Sequence, residues 1–191
     1  MGMPAASHEE MLVTRAQQGD RGAFGELVCM HSTGVIQVVY HLCGNAQVAE
    51  DAAQETFLRA WQHLAEYRSQ GTLRSWLYRI AINAALDMLR REAKLSPDDV
   101  DDLQLPDSKP GPEAALVASE QATLVRQAVN ALPPASRAVL VLREYQRLSY
   151  QEIAAALDIP MGTVMSRLNY ARSQLRARLE PQLALVEVEN G

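Results

Sequence analysis

The sequence lacks the features that would point to a membrane span, a metal site or a disulfide-bonded fold. A helix that crosses a bilayer needs about 20 apolar residues, and no apolar run in this sequence is nearly that long. The N-terminus lacks the basic segment followed by an apolar one that marks a signal peptide. Cys29 and Cys43 are the only cysteines, without CxxC or CxxH spacing. The histidines are scattered along the chain. The sequence therefore predicts neither a metal site nor a cofactor, and we expect a cytoplasmic protein with reduced cysteines.

Aromatic residues and strand patterns are also scarce. Aromatics make up 5% of the 191 residues, and strand-like alternation is confined to the short segment ALVEVEN near the C-terminus. Ala, Leu, Gln, Glu and Arg dominate the composition, and these residues favour helices over sheets. We therefore predict an all-α fold.

The net charge of −5 hides an uneven distribution of charge. An acidic protein is an unusual partner for nucleic acid. However, the four charged residues from 159 to 179 are all arginines, whereas five aspartates crowd residues 98–107. A local basic surface is therefore compatible with the acidic total.

Helix signals occupy two stretches of the chain and are absent between them. Residues 1–94 and 112–181 read as two small helical domains, with a Pro-, Asp- and Ser-rich linker at 95–111 and a C-terminal tail at 182–191. The predicted N-caps are Ser7, Asp20, Asn45 and Ser149, and the predicted helix ends are Gly19 and Gly44. We expect the acidic linker to be flexible, because it cannot bury a core.

Residues 149–175 predict a helix-turn-helix. The second helix begins at Pro160 and has an apolar stripe formed by Val164, Leu168, Ala171 and Leu175. Its opposite face is small and polar and is flanked by arginines, which suits close approach to base edges and phosphates. From this pattern alone, an ordinary helical hairpin with a solvated polar face remains an alternative.

Four segments together are similar to the extracytoplasmic-function (ECF) sigma factors of bacterial RNA polymerase. They read GDRGAFGELV, AEDAAQETFLRAWQHLAEYR, LRSWLYRIAINAALDMLRRE and LPPASRAVLVLREYQRLSYQEIAAALDIPMGTVMSRLNYARSQLR. The resemblance covers the chain apart from its termini and linker. It implies two domains, region 2 and region 4, a role as promoter-specificity subunit rather than enzyme, and control by an anti-sigma factor.

The resemblance implies three groups of binding residues. In the family, the helix matching AEDAAQETFLRAW docks on core polymerase, and here it offers Glu50, Asp51, Gln54, Glu55 and Arg59. The segment that melts and reads the −10 promoter element corresponds to Tyr67, Arg74, Trp76, Arg79 and Asn83, with Tyr78 as a further aromatic. The helix that reads the duplex −35 element corresponds to Thr163, Met165, Ser166, Arg167, Asn169, Tyr170 and Arg172.

This chain departs from a common family pattern at Met165, where an arginine is frequent, and at Tyr170. Loss of a guanine-reading arginine weakens that contact by about 1–3 kcal/mol and shifts preference, for instance toward thymine methyl groups. The resemblance also implies that the linker threads through the polymerase, where its aspartates would mimic RNA phosphates.

Three other readings are weighed against this one. A response regulator would need an α/β receiver domain, which residues 1–90 lack. An enzyme using Cys29 and His31 would need both side chains on one side of a helix, but residues two apart diverge. A sigma-mimicking adaptor without initiation activity would share the same surfaces, so the alternatives that stay open are that adaptor and a helix-turn-helix regulator.

Overall fold

The computed structural model of the chain describes residues 7–68, 71–95 and 114–189. Within these residues the secondary structure is helical and contains no strand, which confirms the predicted all-α fold. A short 3-10 helix lies at Leu64–Glu66. The α-helices are α1 His8–Gln17, α2 Arg21–Cys43, α3 Ala46–His63, α4 Leu73–Leu95, α5 Ala114–Asn130, α6 Pro134–Glu144, α7 Tyr150–Leu157 and α8 Met161–Glu189.

The predicted helix caps are confirmed. A side-chain oxygen accepts a hydrogen bond from a backbone N–H of the first turn at the start of α1, α2, α3 and α7, and the cap residues are Ser7, Asp20, Asn45 and Ser149. The helix α2 ends at Gly44, whose φ of 73° is a conformation that glycine adopts without strain. These caps fix where each helix begins and therefore which residues face the core.

The last helix differs from its predicted extent. The sequence suggests an end at residue 181 followed by a tail that alternates like a strand, whereas α8 continues through Pro181 to Glu189. Proline lacks the N–H that a helix interior uses, but the helix accommodates it here. The predicted linker lies outside the described residues apart from Leu95, which ends α4.

The helices form two modules that share one buried core. The first module is α1–α4 and the second is α5–α8. The core runs from Val38 and Leu42 in α2 to Leu142, Ile153 and Leu168 in the second module, and each such side chain contributes about 1.5–3 kcal/mol when fully buried. The two modules are in direct contact, because α2 packs against α5 and α6 while α4 packs against α7.

Candidate nucleic-acid and polymerase interfaces

A short, doubly capped helix positions the predicted reading helix. The hydroxyl of Ser149 accepts from the backbone N–H of Glu152, and the carboxylate of Glu152 accepts from the N–H of Ser149 at 2.8 Å. The hydrogen bond that the carboxylate accepts from the Ser149 backbone, followed by that from the Ser149 side chain, lowers the pKa of Glu152, so the carboxylate stays charged at the positive end of α7. After α7, Asp158 turns the chain in the left-handed conformation, with φ of 53°. The pair α7–α8 is thus the predicted helix-turn-helix.

The reading helix α8 buries one stripe and exposes the opposite face. Val164, Leu168 and Ala171 have almost no exposed surface, and Leu175 packs against the same core. The predicted reading residues lie on the rest of the helix, exposed at Met165, Ser166, Asn169, Tyr170 and Arg172 and half-buried at Thr163 and Arg167. This surface offers a ligand the amide of Asn169, the thioether of Met165 and the phenol of Tyr170. The hydroxyl of Ser166 donates within the helix, to the carbonyl of Thr163 at 3.1 Å.

The two arginines of this face have different surroundings. Arg172 donates to the carboxylate of Glu144 in α6 at 2.8 Å, and this hydrogen bond raises the pKa of its guanidinium. Half of the Arg172 side chain remains exposed, so the pair contributes little to stability. Arg167 instead borders a cavity toward the first module.

The predicted −10 residues occupy one side of α4 and the loop before it. Asn83 and Arg79 are exposed, and Arg74 is half-buried. Tyr67 and Trp76 contact each other with ring centroids 5.0 Å apart, and both pack partly against the core. Tyr78, the further aromatic expected in the −10 segment, is not available for base stacking in this arrangement, because only 3% of its surface is exposed.

A cavity of about 420 Å³ lies between α1 and this loop. Tyr67, Gly71 and Thr72 form one wall, and α1 contributes Thr14 and Gln17 to the other. The amide of Gln17 donates to the carbonyls of Leu64 and Tyr67 at 3.0 and 3.1 Å, which ties α1 to the loop. The loop that the family resemblance assigns to base capture therefore borders a real concavity.

The predicted polymerase-docking strip lies on the outer face of α3. Glu50, Asp51 and Gln54 are exposed, while Glu55 and Arg59 are half-exposed. Arg59 donates to Glu55 at 2.7 Å and lies 3.5 Å from Asp87 of α4. The hydrogen bond with Glu55, followed by the pairing with Asp87, raises the pKa of Arg59. The strip is therefore acidic, with its cation internally paired.

The sequence interpretation missed one residue of this strip. Leu58 is 60% exposed, the highest value among the large apolar side chains that the structure describes as exposed. It lies three, four and seven residues after Glu55, Gln54 and Asp51, so it shares their side of the helix. That spacing would have identified it, since an apolar residue on a polar outer stripe needs a separate explanation.

The predicted −10 and −35 surfaces face each other. Arg79 of α4 donates to the carboxylate of Asp158, in the turn of the helix-turn-helix, at 2.8 Å. A cavity of about 360 Å³ between the modules is lined by Arg79, Asn83, Asp158 and Arg167, among others. Side chains assigned to two different promoter elements thus border the same space.

Neither a membrane span nor a metal cluster is found in residues 7–68, 71–95 and 114–189. No helix there combines the length and apolarity required to cross a bilayer. The side chains described include no group of three His, Cys, Asp or Glu residues able to hold a metal ion. The ring of His31 lies 2.8 Å from the carboxylate of Glu9, and Cys29 is exposed.

Comparison with known proteins assigns the family. Residues 27–95 match Sigma-70 region 2, and residues 122–175 match Sigma-70, region 4. Over 95% of its length the chain is 34% identical to the RNA polymerase sigma-H factor of Pseudomonas aeruginosa, and it covers 98% of that protein. It is also 34% identical to the ECF RNA polymerase sigma-E factor of Escherichia coli K12, over 91% of the chain and 95% of that protein.

The chain is an ECF sigma factor. The fold of this sigma factor is similar to that of CnrH, solved in complex with the cytosolic domain of CnrY, with a TM-score of 0.68 and 26% identity over 90% of this chain and 96% of CnrH. The sigma factor RpoE of Bartonella quintana, solved with the anti-sigma factor NepR, shares the fold with a TM-score of 0.67 and 21% identity, over 82% of this chain and 96% of RpoE.

Membership of the sigma factor family assigns the chain to transcription initiation. Sigma factors direct core RNA polymerase to promoters, so core polymerase and promoter DNA are the partners of this sigma factor, as the resemblance implied. The family is one of transcription initiation factors, which disfavours a helix-turn-helix regulator that acts without polymerase.

Proposed function

We propose that this sigma factor divides promoter recognition between its two modules. Residues 1–94 act as the region 2 domain that binds core polymerase and the melted −10 strand, and residues 112–181 act as the region 4 domain that binds the −35 duplex. The observation that carries the proposal is on α8, whose apolar stripe is buried while Ser166 and Asn169 face outward. Slim and polar residues on such a face suit the major groove.

The −10 strand binds along α4 and its preceding loop. Asn83 supplies an amide for a base edge, Arg74 and Arg79 supply cations for phosphates, and the Tyr67–Trp76 pair supplies aromatic surface for an unstacked base. The contact between these two rings and the cavity beside Tyr67 support this assignment. In the second module, exposed Met165 favours a thymine methyl group over a guanine, because a thioether cannot donate two hydrogen bonds.

Core polymerase docks on the outer strip of α3. Glu50, Asp51, Gln54 and Glu55 make this strip acidic, which suits a basic partner, and Leu58 supplies an apolar centre. The predicted role of the linker aspartates inside the polymerase concerns residues outside those described. Replacing them with serine tests it, and unchanged abortive and full-length RNA yields would refute it.

We also propose that a protein inhibitor, an anti-sigma factor, controls this chain. The similarity to CnrH, which was solved with the cytosolic domain of CnrY, supports a partner protein of this kind. The chain would then act in the bacterial cytoplasm, where polymerase and genomic DNA meet, and an inhibitor with a membrane segment would hold it at the inner face of the membrane. Co-purification of the chain from its native host, followed by identification of the bound protein, tests this.

Run-off transcription of a fragmented bacterial genome by core polymerase, with and without the chain, tests the central assignment. We expect new start sites that share two sequence elements. Asn83→Ala and Arg167→Ala are expected to keep polymerase binding and to reduce initiation, whereas the exposed Gln121→Ala and Arg178→Ala serve as matched amide and arginine controls. Polymerase binding without any new start site would support the adaptor instead.

A further inference from the structure

Two methionines are exposed on the reading helix beside its buried apolar stripe. Met161 and Met165 leave 44% and 41% of their surface open to solvent. They lie four residues apart in α8, so both side chains project from the same side of the helix, one turn apart. This apolar surface stays in water in the folded chain, and covering it with a ligand lowers the free energy. Met161 and Met165 are called the thioether strip below.

The face of α8 next to the thioether strip allows a ligand to approach closely. Gly162 follows Met161 in the chain, and a Cβ at that position would meet nothing within 4 Å. Ser166 and Asn169 lie four and seven residues after Gly162, so they share its side of the helix, and both are exposed. A helix with such short side chains enters the major groove closely. The longer thioethers at the border of this face can therefore reach the edges of the bases.

The two arginines predicted to lie on the reading helix are poorly placed to pair with a guanine beside the strip. Arg167 is two residues from Met165 and therefore points to a different side of the helix, where it borders the cavity toward the first module. Arg172 lies two turns after Met165 on the same side, but its guanidinium donates to the carboxylate of Glu144 at 2.8 Å. That carboxylate offsets the charge of Arg172 and takes one of the N–H donors that a two-bond contact with guanine uses.

Glu144 engages Arg172 from an anchored helix. Glu144 ends α6, and Arg137 lies two turns before it and is buried. The guanidinium of Arg137 donates to the backbone carbonyls of three residues, which are Leu42, Asn130 and Leu132. These bonds fix α6 and therefore the position from which Glu144 presents its carboxylate. On this side of α8, the fold thus offers DNA an apolar strip and a cation whose charge is offset.

We propose that the thioether strip recognises the C5-methyl groups of pyrimidines in the −35 duplex. The methyl group of thymine is the apolar group that the major-groove edge of a base pair presents. Cytosine methylated at C5 carries a methyl group at the same place, so the strip accepts it as it accepts thymine. Asn169, one turn after Met165, adds an amide that suits the adenine paired with a thymine. This inference rests on the proposed function, because it takes from it that α8 binds the −35 duplex.

Promoters located by the run-off experiment supply the DNA for the test. We expect their shared −35 element to contain thymine, because the strip gains nothing from a base edge without a methyl group. A shared −35 element without thymine would overturn the inference. Absence of any new start site would instead refute the proposed function on which the inference rests, so the two failures are distinguishable.

Changes of one methyl group in the DNA isolate its contribution. Deoxyuridine in place of a −35 thymine removes only the C5-methyl group, and we expect the complex of sigma factor and core polymerase to bind this promoter about fourfold more weakly. Where cytosine replaces that thymine, 5-methylcytosine is expected to bind about fourfold more tightly than cytosine. Fluorescence anisotropy of the labelled promoter measures both comparisons. Equal affinities in either comparison, at every −35 thymine, would overturn the proposal.

Replacement of the methionines distinguishes direct contact from an effect of the methyl group on DNA shape. Met161→Gln and Met165→Gln keep the length of the side chain but place an amide at its end, and each is expected to abolish the difference between thymine and deoxyuridine at the position that it contacts. Met30→Gln, at a half-exposed methionine of α2, is the matched control and is expected to keep the difference. Thermal unfolding of the free variants is expected to match the wild type, since these side chains are exposed. A difference that persists undiminished in both α8 variants would overturn the proposal.

Discussion

The exposed side chain of Leu58 contributes little to the stability of the folded chain, since most of its apolar surface is in contact with solvent. It projects from the acidic strip of α3 with 60% of its surface open, and burying a leucine against a partner contributes about 1.5–3 kcal/mol. Interfaces concentrate their binding energy in such central side chains, with polar residues around them. We therefore expect Leu58, at the centre of the acidic strip, to contribute measurably to the affinity for core polymerase.

Leu58→Ala is expected to weaken binding of core polymerase about tenfold, equivalent to about 1.4 kcal/mol, because it removes apolar surface from the interface. Thermal unfolding of the free protein is expected to be unchanged, since the side chain is exposed. Titration of labelled sigma factor with core polymerase measures the affinity. Met30→Ala, at a half-exposed apolar residue of α2, is the control, and equal affinities for both variants would contradict the role of Leu58.

Two residues in the left-handed conformation provide a test of backbone strain with opposite signs. Arg147 has a φ of 59°, and a side chain there costs about 1–2 kcal/mol, so Arg147→Gly is expected to raise the free energy of unfolding by about 0.5–1 kcal/mol after the entropy cost of glycine. Gly44→Ala is expected to lower it, because a Cβ would also lie 2.6 Å from the side-chain nitrogen of Asn130. Urea unfolding of both variants checks the two signs, and changes of equal sign would refute the account.

At the scale of elements, the sequence identified most helix boundaries because caps are local. Ser7 with Glu10, and Ser149 with Glu152, form the two-way capping boxes that their spacing predicts. The extent of α8 was not predicted, since Pro181 and the alternation of ALVEVEN both argued against a helix there. The alternation is a weak preference, but a proline in a helix interior costs about 3 kcal/mol, and α8 continues despite that cost.

Ser149→Ala is expected to lower the free energy of unfolding by about 1 kcal/mol, because α7 has only eight residues and loses the bond from Ser149 to its first turn. Binding of −35 duplex in the polymerase complex is expected to weaken as well, since α7 orients α8. Ser173→Ala, at an exposed serine within α8, is the control. Chemical denaturation gives the first quantity and promoter footprinting the second; a loss of stability no greater than that of the control would exclude the cap.

At the scale of the whole molecule, the composition separated two modules but could not predict their contact. The bonds that join them link Tyr78 to Gln146 and Arg79 to Asp158, residues more than sixty positions apart in the chain. Hydrophobic periodicity contains no information about such pairs. The sequence therefore presents Tyr78 as a surface aromatic, although it is buried and its hydroxyl donates to Gln146 of the second module.

His41 makes the junction sensitive to acid. Burial against the second module, where Tyr145 stacks on it and Arg126 lines the adjoining cavity, lowers the pKa of His41. The unfolded chain then takes up a proton at higher pH than the folded one does. The stability from neutral His41 is therefore complete above the unfolded pKa of about 6.5 and is lost as the pH falls through the folded pKa.

We expect the free energy of unfolding of the wild type to fall between about pH 7.5 and about pH 5.5. His41→Phe, which keeps an aromatic ring beside Tyr145, is expected to show a smaller fall. The other histidines of the described residues, His8, His31 and His63, are present in both proteins and cancel in the comparison. Urea midpoints at the two pH values measure the difference, and identical falls would assign the dependence elsewhere.

The three carbonyl oxygens around Arg137 belong to Leu42, Asn130 and Leu132, on two different modules, and its Nε has no partner among the described side chains and backbone. The planar guanidinium can donate to carbonyl oxygens that lie in different directions, whereas the single ammonium nitrogen of lysine cannot reach all three. A positive charge at position 137 is therefore not sufficient to maintain the contact between the two modules. Arg137→Lys, although it keeps the charge, would therefore leave buried carbonyl oxygens without a hydrogen-bond donor.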